Sequence, residues 1–574
     1  MAFFQDGPEL GNTWAGDRAL RECVRRLLPA EVLAEVEPDL ERLGERAAGE
    51  MLALAVEAER DPPRLVRLDA WGRRVDRIET CPAWRRLHEI AAEEGVVAIA
   101  YERAHGEHSR VHQFARLALY HPSSAFASCP LAMTDGAART LEIHGEEELR
   151  ERILPRLISR DPEAFWTAGQ WMTERTGGSD VGDSETVAAP DGAGGWRLTG
   201  SKWFTSATTA EVALTLARCE GAPAGSRGLS MFFLETGMAA GALRGIRVER
   251  LKDKLGTRAL PTAELELDGV PARMVGEPGR GVPTIATVLN ITRLYNACCA
   301  AGTLGRGLAL ARDYARRRRA FGRPLAELPL HLETLAGLAA EHAAALQLTF
   351  RAAQLLGREE CGVASAGERE LLRLATPLVK LTTGRQVVAG VSEVVECFGG
   401  AGYVEDTGLP GLLRDAQVFP IWEGTTNVLA LDALRAARGG GALAALEREI
   451  SGAVEGSGVA LLAPARSAVR ECLAQLVAWH SLASRDARGA LEAGARDFSL
   501  GLGRTWAASL LLSQAEWEAR GSERAAAPAV EAARRFAATL GAIPVPRAAS
   551  PGAGATRDLA LGGAAEEVRA PALR

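Results

Sequence analysis

One glutamate stands among residues that could make it a base. Glu423 follows the bulky apolar pair Ile421 and Trp422 and precedes Gly424, so its carboxylate would lose contact with water in a folded chain. Loss of water raises the pKa of a carboxyl group and makes the carboxylate a stronger base. Taken alone, the same string also fits a surface or salt-bridged glutamate, and both interpretations stay open at this point.

Two further segments carry side chains suited to a flat ligand. Between Trp171 and Val181, the adjacent glycines 177 and 178 would let backbone N–H groups approach a ligand, and nearby hydroxyls can donate to it. Trp203 is followed two residues later by Thr205, which predicts that both lie on one face of a strand. An indole there could cover a flat ring while the hydroxyl binds the edge of the ring. A polar loop and a half-buried structural tryptophan are the alternative interpretations.

An arginine-rich segment ends a later helical pattern. Four consecutive arginines, 316–319, lead into Phe321 and Gly322. Arginine clusters bind phosphates and carboxylates through paired N–H groups, although most charge runs form a solvated face. The segment therefore indicates either an anion site or a basic surface.

The elements that must position these residues fall into separate blocks. Helical periodicity covers about residues 12–160, 281–437 and 442–540, whereas short alternating runs between residues 165 and 276 predict an antiparallel β domain. Strands segregated from helices predict an α+β fold rather than an alternating α/β fold. The predicted domains are 1–162 (helical), 163–279 (β-barrel or sheet), 280–438 (helical) and 439–540 (extra helical), followed by a flexible tail at 541–574.

Composition and charge limit the class of protein. A hydrophobic content of 47% and a charged content of 24% are typical of globular proteins, and a net charge of −6 gives no general attraction to nucleic acid. The nine cysteines include no CxxC pair, which argues against a zinc site. The N-terminal residues show no basic segment followed by an apolar stretch, as a signal peptide would, and the sequence has no run of about 18 apolar residues. We therefore expect a cytoplasmic protein without a membrane span. His105, His108 and His112 would share one helix face, which we interpret as a structural cluster rather than a metal site.

Taken in order, the segments resemble the acyl-CoA dehydrogenase family over roughly residues 60–435. The strings that carry the resemblance are Met172-Thr173-Glu174, Gly178-Ser179-Asp180, Trp203-x-Thr205, Arg318-x-x-Phe321-Gly322, Phe398-Gly399-Gly400-x-Gly402-Tyr403, Arg414-Asp415-Ala416 and Glu423-Gly424-Thr425. The string from Glu249 to Gly256 and the extra helical segment resemble the AidB-like branch of that family. The resemblance implies an N-terminal helical domain, a central antiparallel β domain, a four-helix-type domain and an extra C-terminal helical segment.

The resemblance also implies FAD as the cofactor and gives roles to single residues. Glu423 would be the catalytic base, and Arg293 would lie beside it and influence its charge. The residues implied to bind FAD are Met172, Thr173 and Ser179 at the flavin and its phosphates, Trp203 on the ring, Thr205 at its edge, Thr425 and Asn427 at the diphosphate, Arg318 and Phe321 across a subunit boundary, and Gly399 and Gly400 near the adenosine.

The implied reaction is α,β-dehydrogenation of an acyl-CoA thioester. Glu423 would remove the α proton while the β hydride passes to the flavin. The Glu423 backbone N–H and a cofactor hydroxyl would polarise the thioester carbonyl. The implied partners are the acyl-CoA substrate, an electron-acceptor flavoprotein and further copies of the chain in a homotetramer.

Two other functions stay open. The AidB-like branch is linked to alkylation response and to DNA binding through its C-terminal region, yet residues 440–574 hold nearly equal numbers of arginine and acidic residues and no lysine. Phosphate binding requires concentrated positive charge, so DNA binding is not favoured. The second alternative is a protein that sequesters acyl-CoA without turning it over, against which an intact Glu423 argues. Pro329 and Glu396 stand where many family members have glutamine, a departure that the AidB-like branch shares.

Overall fold

Eight helices make up most of the N-terminal part of the molecule. The computed structural model describes residues 6–238, 243–456, 458–485, 489–542 and 553–561 of the 574. These helices are α1 (Arg18–Leu27), α2 (Ala30–Ala48), α3 (Glu50–Arg60), α4 (Pro82–Glu93), α5 (Ile99–Glu102), α6 (Ser109–Tyr120), α7 (Ser128–His144) and α8 (Glu147–Leu157). All residues of α6 are buried, so this helix lies at the centre of the N-terminal helices.

A β-hairpin interrupts this helical part, which the periodicity did not predict. Strands β1 (Arg64–Leu68) and β2 (Arg74–Glu79) pair antiparallel. Asp76 accepts a hydrogen bond from the backbone N–H of Val248 at 2.9 Å, and Arg74 donates to the carbonyl of the same residue at 3.0 Å. The hairpin therefore packs on the β domain, and this distant contact is not visible in local periodicity.

The three histidines do not share a helix face, because α6 begins only at Ser109. His105 and His108 precede the helix, and the rings of His105 and His112 lie 5.6 Å apart. Burial lowers the pKa of His112 to about 3. Among the described residues, no group of three or more His, Cys, Asp or Glu side chains is arranged to hold a metal ion.

Seven strands form the central domain. They are β3 (Ala168–Trp171), β4 (Val187–Pro190), β5 (Trp196–Ser206), β6 (Val212–Cys219), β7 (Leu229–Glu235), β8 (Ile246–Leu251) and β9 (Thr262–Val275). Their order is β3-β6-β4-β5-β9-β7, and a further β6–β7 pairing closes strands β4 to β7 and β9 into a ring. Most pairings are antiparallel as predicted, but β6 pairs parallel with both β3 and β4. Alternation of apolar residues shows which face is buried and carries no information on strand direction.

Long helices return after the sheet. They are α9 (Gly281–Arg317), α10 (Pro329–Glu360), α11 (Ala366–Cys397), α12 (Leu409–Ala416) and α13 (Thr426–Ala437), with the two-residue strands β10 (Arg319–Ala320) and β11 (Arg323–Pro324) between α9 and α10. Helices α9, α10 and α11 pack against one another, and their buried faces belong to the same core as the N-terminal helices. This arrangement confirms the predicted four-helix-type domain.

The extra C-terminal segment packs closely on that helical domain. It comprises α14 (Gly441–Val454), α15 (Ala463–Ala483), α16 (Gly489–Gly521), α17 (Glu523–Ala538) and α18 (Ala553–Leu561). Helix α16 contacts α10, α11 and α13, and Trp506 at its middle is fully buried. The Trp506 indole donates to Glu449 at 2.9 Å, and Glu449 also binds Arg351 of α10 at 2.7 Å. The extension is therefore part of the main core rather than an appended unit.

The predicted flexible tail at 541–574 lies mainly outside the described residues. Ala553–Leu561 form α18, while residues 543–552 and 562–574 are not described. None of the helices in the described ranges combines the length and the apolar character needed to cross a membrane.

Candidate active site

Glu423 lies in the turn between α12 and α13, where the backbone is left-handed. The φ angle is +55° at Glu423 and +102° at Gly424. A non-glycine residue in this region costs about 1–3 kcal/mol and persists where the surrounding structure holds it, most often at functional sites. The carboxylate oxygen Oε2 of Glu423 is buried and has no hydrogen-bond partner among the described residues. The strained turn therefore presents a carboxylate with one unpaired oxygen.

The pKa of Glu423 is raised above its usual value because burial removes water from the carboxylate. The side chains of Thr292, Arg293, Lys380 and Gln170 act in the opposite direction and lower this pKa, but burial outweighs them. Gln170 belongs to β3, Thr292 and Arg293 to α9, and Lys380 to α11. The carboxylate thus lies where the sheet meets the helical domain, and its proton affinity suits a base.

Arg293 occupies the position expected of it beside Glu423. Its Nε donates to the backbone carbonyl of Glu423 at 3.3 Å. Its Nη1 donates to Asp432 of α13 at 2.8 Å, and Arg373 of α11 binds the other oxygen of Asp432 at 2.7 Å. Arg293 is therefore fixed between two helices and contacts the turn through the backbone.

Lys380 is a site residue that the sequence analysis missed. Its side chain is fully buried in α11, and its Nζ donates to the carbonyl of Gly424 at 2.7 Å. Burial lowers the pKa of this amine to about 7, with Arg293 adding to the effect and Glu423 opposing it. A lysine in an apolar helical stretch is itself a signal, since the chain has few lysines and they are almost never fully buried without a reason.

The β3 side of the site includes Met172 and Thr173. Both are half-buried just after the strand. The carbonyl of Thr173 accepts a hydrogen bond from the Trp203 backbone N–H at 2.8 Å, which joins this segment to β5. Gln170 donates to the Met172 sulfur at 3.4 Å, while its carbonyl oxygen Oε1 is buried without a partner in the described structure.

Trp203 and Thr205 do not follow the regular alternation that the sequence predicted. The pairing of β5 with β9 shifts register between Lys202 and Thr205, and a bulge of this kind breaks the two-residue period. Thr205 is fully buried, and its hydroxyl donates to the carbonyl of Ala263 at 2.8 Å. Trp203 is half-buried, with the amine of Lys252 3.6 Å from the centre of its ring. The Thr205 hydroxyl is therefore enclosed by the protein, and its proton is already used.

Thr425 and Asn427 lie at the N-terminus of α13. The Thr425 hydroxyl accepts from the N–H of Val428 and so caps the helix. The side-chain oxygen of Asn427 accepts a hydrogen bond from Arg496 at 2.8 Å. Arg496 belongs to α16 of the C-terminal extension and was not among the predicted residues. A helix N-terminus with a neighbouring arginine provides N–H groups and positive charge suited to a phosphate.

The remaining predicted cofactor residues lie on the surface of the single chain. Phe321 is at the tip of the β10–β11 hairpin with 93% of its side chain exposed, and its φ of +51° belongs to the tight turn. Arg318 follows the last residue of α9, just before the hairpin. Gly399, Gly400 and Ser179 are exposed, and nothing within 4 Å would contact a Cβ added at either glycine. The structure therefore brings together Glu423 and Arg293, and leaves these residues open to other molecules.

These observations fit a flavin dinucleotide. The unpaired buried oxygens of Glu423 and Gln170 lie at the junction of sheet and helices. The N-terminus of α13, with Thr425 and the nearby Arg496, offers donors for a diphosphate. Trp203 on β5 is hydrogen-bonded through its backbone to the Thr173 segment, and its indole is half-buried. The donor set therefore matches a ligand that has both a flat ring and a diphosphate.

Comparison with known proteins assigns four segments of the chain to related families. Residues 279–437 match the acyl-CoA dehydrogenase C-terminal domain, and residues 169–270 match the acyl-CoA dehydrogenase middle domain. Residues 8–163 match the adaptive response protein AidB N-terminal domain. Residues 441–550 match the acyl-CoA dehydrogenase 11 C-terminal domain-like family.

Relatives from animals and bacteria extend this similarity. The chain is 50% identical to acyl-CoA dehydrogenase family member 11 of Caenorhabditis elegans, over 75% of this chain and 72% of the relative. It is 33% identical to AidB of Escherichia coli strain K12, over 74% of this chain and 77% of the relative. The crystal structure of Caenorhabditis elegans ACDH-11 in complex with C11-CoA superposes with a TM-score of 0.94 at 42% identity, covering 99% of this chain and 98% of that one.

A structure of an acyl-CoA dehydrogenase from Bacillus anthracis, complexed with FAD, has the same fold. It superposes with a TM-score of 0.72 at 18% identity, over 93% of this chain and 90% of that one. Members of the acyl-CoA dehydrogenase family bind FAD and are oxidoreductases. The chain belongs to the acyl-CoA dehydrogenase family, and it combines that family's middle and C-terminal domains with an AidB-type N-terminal domain.

Proposed function

We propose that this protein is an FAD-dependent acyl-CoA dehydrogenase in which Glu423 removes the α proton of an acyl-CoA thioester. The observation that carries the proposal is the Glu423 carboxylate, whose Oε2 atom is buried without a hydrogen-bond partner among the described residues and which is held on a left-handed turn. Burial raises its pKa, so the carboxylate binds a proton more readily than a solvated one. A structural carboxylate at this depth would instead be paired, as Asp432 is with Arg293 and Arg373.

Each group of the chain has a defined part in the reaction. The Glu423 carboxylate takes the α proton and becomes a carboxylic acid, while the α carbon–hydrogen bond supplies the electrons of the new double bond. When bound, the flavin supplies the acceptor for the hydride that leaves the β carbon. No acceptor for the backbone N–H of Glu423 is found among the described residues, so this group is free to donate to the thioester carbonyl.

An acyl-CoA substrate is supported by the Caenorhabditis elegans relative, whose structure holds C11-CoA. The test is the spectrum of the purified protein under anaerobic conditions with saturated acyl-CoAs of increasing chain length. The proposal predicts a yellow protein whose flavin absorbance is lost with at least one acyl-CoA and retained with the free fatty acid. A protein that binds FAD and acyl-CoA tightly and keeps its absorbance with every thioester would contradict it and favour sequestration.

We further propose that an electron-transferring flavoprotein reoxidises the enzyme and that the protein works as a homotetramer. The first follows from the family resemblance, because a reduced flavin must pass its electrons on. The second is supported by the exposed hairpin at Phe321, whose ring is 93% exposed in the single chain. We also propose that the domains end at residues 162, 279, 438 and 540, as predicted from the sequence.

DNA binding by the C-terminal extension finds no support in the charges of its helices. Arg466 binds Glu516, Arg534 binds Glu531, and Arg535 binds both Glu531 and Glu333. Arginines already paired with carboxylates contribute little to phosphate binding. Arg470 and Arg485 are exposed and have no ion pair among the described residues, and Arg488 lies outside those residues.

A further inference from the structure

The turn that carries Glu423 needs support from its surroundings. Glu423 and Gly424 both have positive φ angles, and only the second is a glycine. The preceding residues 417–422 form turns, and Trp422 N donates to the Val418 carbonyl. The two carbonyls that follow, those of Glu423 and Gly424, accept no hydrogen bond in this local network and need donors from elsewhere in the molecule.

Two cations supply those donors, one for each carbonyl. Arg293 of α9 donates to the Glu423 carbonyl at 3.3 Å, and Lys380 of α11 donates to the Gly424 carbonyl at 2.7 Å. The two cations differ in their other contacts, because Arg293 also binds Asp432 whereas Lys380 has no carboxylate partner among the described residues.

Lys380 is a costly residue to bury for packing alone. Its side chain is fully buried in α11 among apolar neighbours, and one backbone carbonyl is its only hydrogen-bond acceptor in the described structure. A buried ammonium with so little compensation is unfavourable, and a methionine would fill a similar volume without this cost. The cost is visible in the amine itself, whose pKa falls from 10.5 to about 7. A function at the turn explains why a charged residue occupies this position.

We propose that Lys380 is a positioning residue for Glu423. Its bond to the Gly424 carbonyl holds the turn that presents the carboxylate, and its charge keeps that carboxylate ionised at lower pH than burial alone would allow. This inference rests on the proposed function of Glu423 as the base. It adds a second requirement to that function, namely a cation on α11 beneath the turn.

The charged groups around Lys380 and Glu423 determine in which direction the pH dependence of activity changes when Lys380 is replaced. Glu423 and Arg293 are the charged groups that act on Lys380, and Asp432 and Arg373 lie beyond Arg293. Lys380 lowers the pKa of Glu423, as do Arg293, Thr292 and Gln170. Removal of the lysine charge therefore raises the pKa of Glu423 further, and the base becomes available only at higher pH.

The test compares Lys380→Met, Lys380→Arg and Thr376→Val with the wild type. Thr376 is a buried residue of the same helix whose hydroxyl donates to the Leu372 carbonyl, so its replacement removes a buried hydrogen bond without touching the turn. We expect the ascending limb of the kcat/KM–pH profile to move to higher pH by about one unit in Lys380→Met. Lys380→Arg keeps the charge and should hold the limb near its wild-type position, as should Thr376→Val.

A second measurement does not depend on activity. The pKa of Lys380 is 10.5 in the unfolded chain and about 7 in the folded chain. The unfolded state therefore binds more protons than the folded state between these two pH values. Wild-type stability should therefore rise relative to Lys380→Met as the pH increases from about 7 to 10. The readout is the difference between the two melting temperatures across that range.

The outcomes separate this inference from the proposed function. An active wild type whose pH limb is the same in Lys380→Met would overturn the inference and leave Glu423 as the base. An inactive wild type would overturn the proposed function, and a melting difference that does not change with pH would then overturn the role of Lys380 as well. If Lys380→Met does not fold, the inference requires Lys380→Arg to fold and to keep the ascending limb of its kcat/KM–pH profile at the wild-type pH. A shift of that limb to higher pH in Lys380→Arg would contradict the inference.

Discussion

Glu423 combines three conditions that rarely occur together in a carboxylate. Its Oε2 atom is buried, that atom has no hydrogen-bond partner among the described residues, and its backbone is left-handed. Each condition alone would be unfavourable, and together they require neighbours that hold the turn without neutralising the side chain. Arg293 meets this requirement because it binds the carbonyl of Glu423 and gives its salt bridge to Asp432.

A second buried carboxylate near the turn gives a prediction on stability. Asp415 ends α12 beside Glu59 of α3, and burial together with the charge of Glu59 raises its pKa to about 7. The folded state thus keeps a proton that the unfolded state releases near pH 4, so stability falls as pH rises from about 4 to 7. Asp415→Asn removes this titration while the amide oxygen can still accept from the Thr257 N–H.

We expect Asp415→Asn to be more stable than the wild type above pH 7, by about one to a few kcal/mol, and the gain to vanish towards pH 4. Urea unfolding at several pH values measures this difference. Asp406→Asn, at an exposed position of the preceding loop, is the matched control. A stability gain that is the same at every pH would show that the pKa of Asp415 is not raised in the folded protein.

At the scale of elements, helix α16 links the C-terminal extension to the site. It packs against α10, α11 and α13, and its Gly503 lies against Thr382 so closely that a Cβ there would be 2.0 Å from the Thr382 hydroxyl oxygen. Arg496, two helical turns earlier, binds Asn427 at the start of α13. The close packing at Gly503 therefore fixes the position from which Arg496 acts.

Replacement of Arg496 tests whether the extension takes part in cofactor binding. Arg496→Ala removes a cation beside the N-terminus of α13, and we expect FAD affinity to fall about tenfold, the loss of one charge-assisted hydrogen bond. Titration of the apoprotein with FAD measures this affinity. Arg524→Ala changes an exposed arginine at the start of α17 and should bind FAD like the wild type. Equal affinities for all three proteins would limit the extension to a structural role.

The elements show which features a sequence can reveal. The long helices and the strands β5, β6, β7 and β9 follow local periodicity. The local string left Glu423 open, and the ordered motifs of the family resemblance singled it out, because the side chains that surround it come from β3, α9 and α11. The β1–β2 hairpin was missed because a distant strand stabilises it through Asp76. Lys380 and Arg496 were missed for a related reason, since each reaches the site from a helix far away in the chain. The register shift before Thr205 has no local signal at all.

At the scale of the whole molecule, the hairpin at Phe321 exposes an aromatic ring that the single chain does not cover. Its ring is 93% exposed although aromatic residues are usually at least partly buried. Because the ring makes so little contact within the chain, Phe321→Ala should leave the melting temperature of a dissociated protomer unchanged. We expect the variant to lose FAD and to shift towards smaller species, as measured by light scattering coupled to size exclusion.

Leu330→Ala is the control for this prediction, because it removes another exposed apolar side chain shortly after the hairpin. Retention of both FAD and the wild-type assembly by Phe321→Ala would contradict a subunit contact at the hairpin.

The central claim concerns the whole assembled site, with Glu423 as its base. The most direct measurement is the anaerobic rate of flavin reduction by an acyl-CoA in the wild type, in Glu423→Gln and in Glu393→Gln, an exposed position on α11. Gln has nearly the shape of Glu and cannot take a proton, so Glu423→Gln should keep its FAD and its acyl-CoA binding and lose at least about a hundredfold in rate. Glu393→Gln should react like the wild type. Flavin reduction by Glu423→Gln at the wild-type rate would show that another group removes the proton and that Glu423 is not the base.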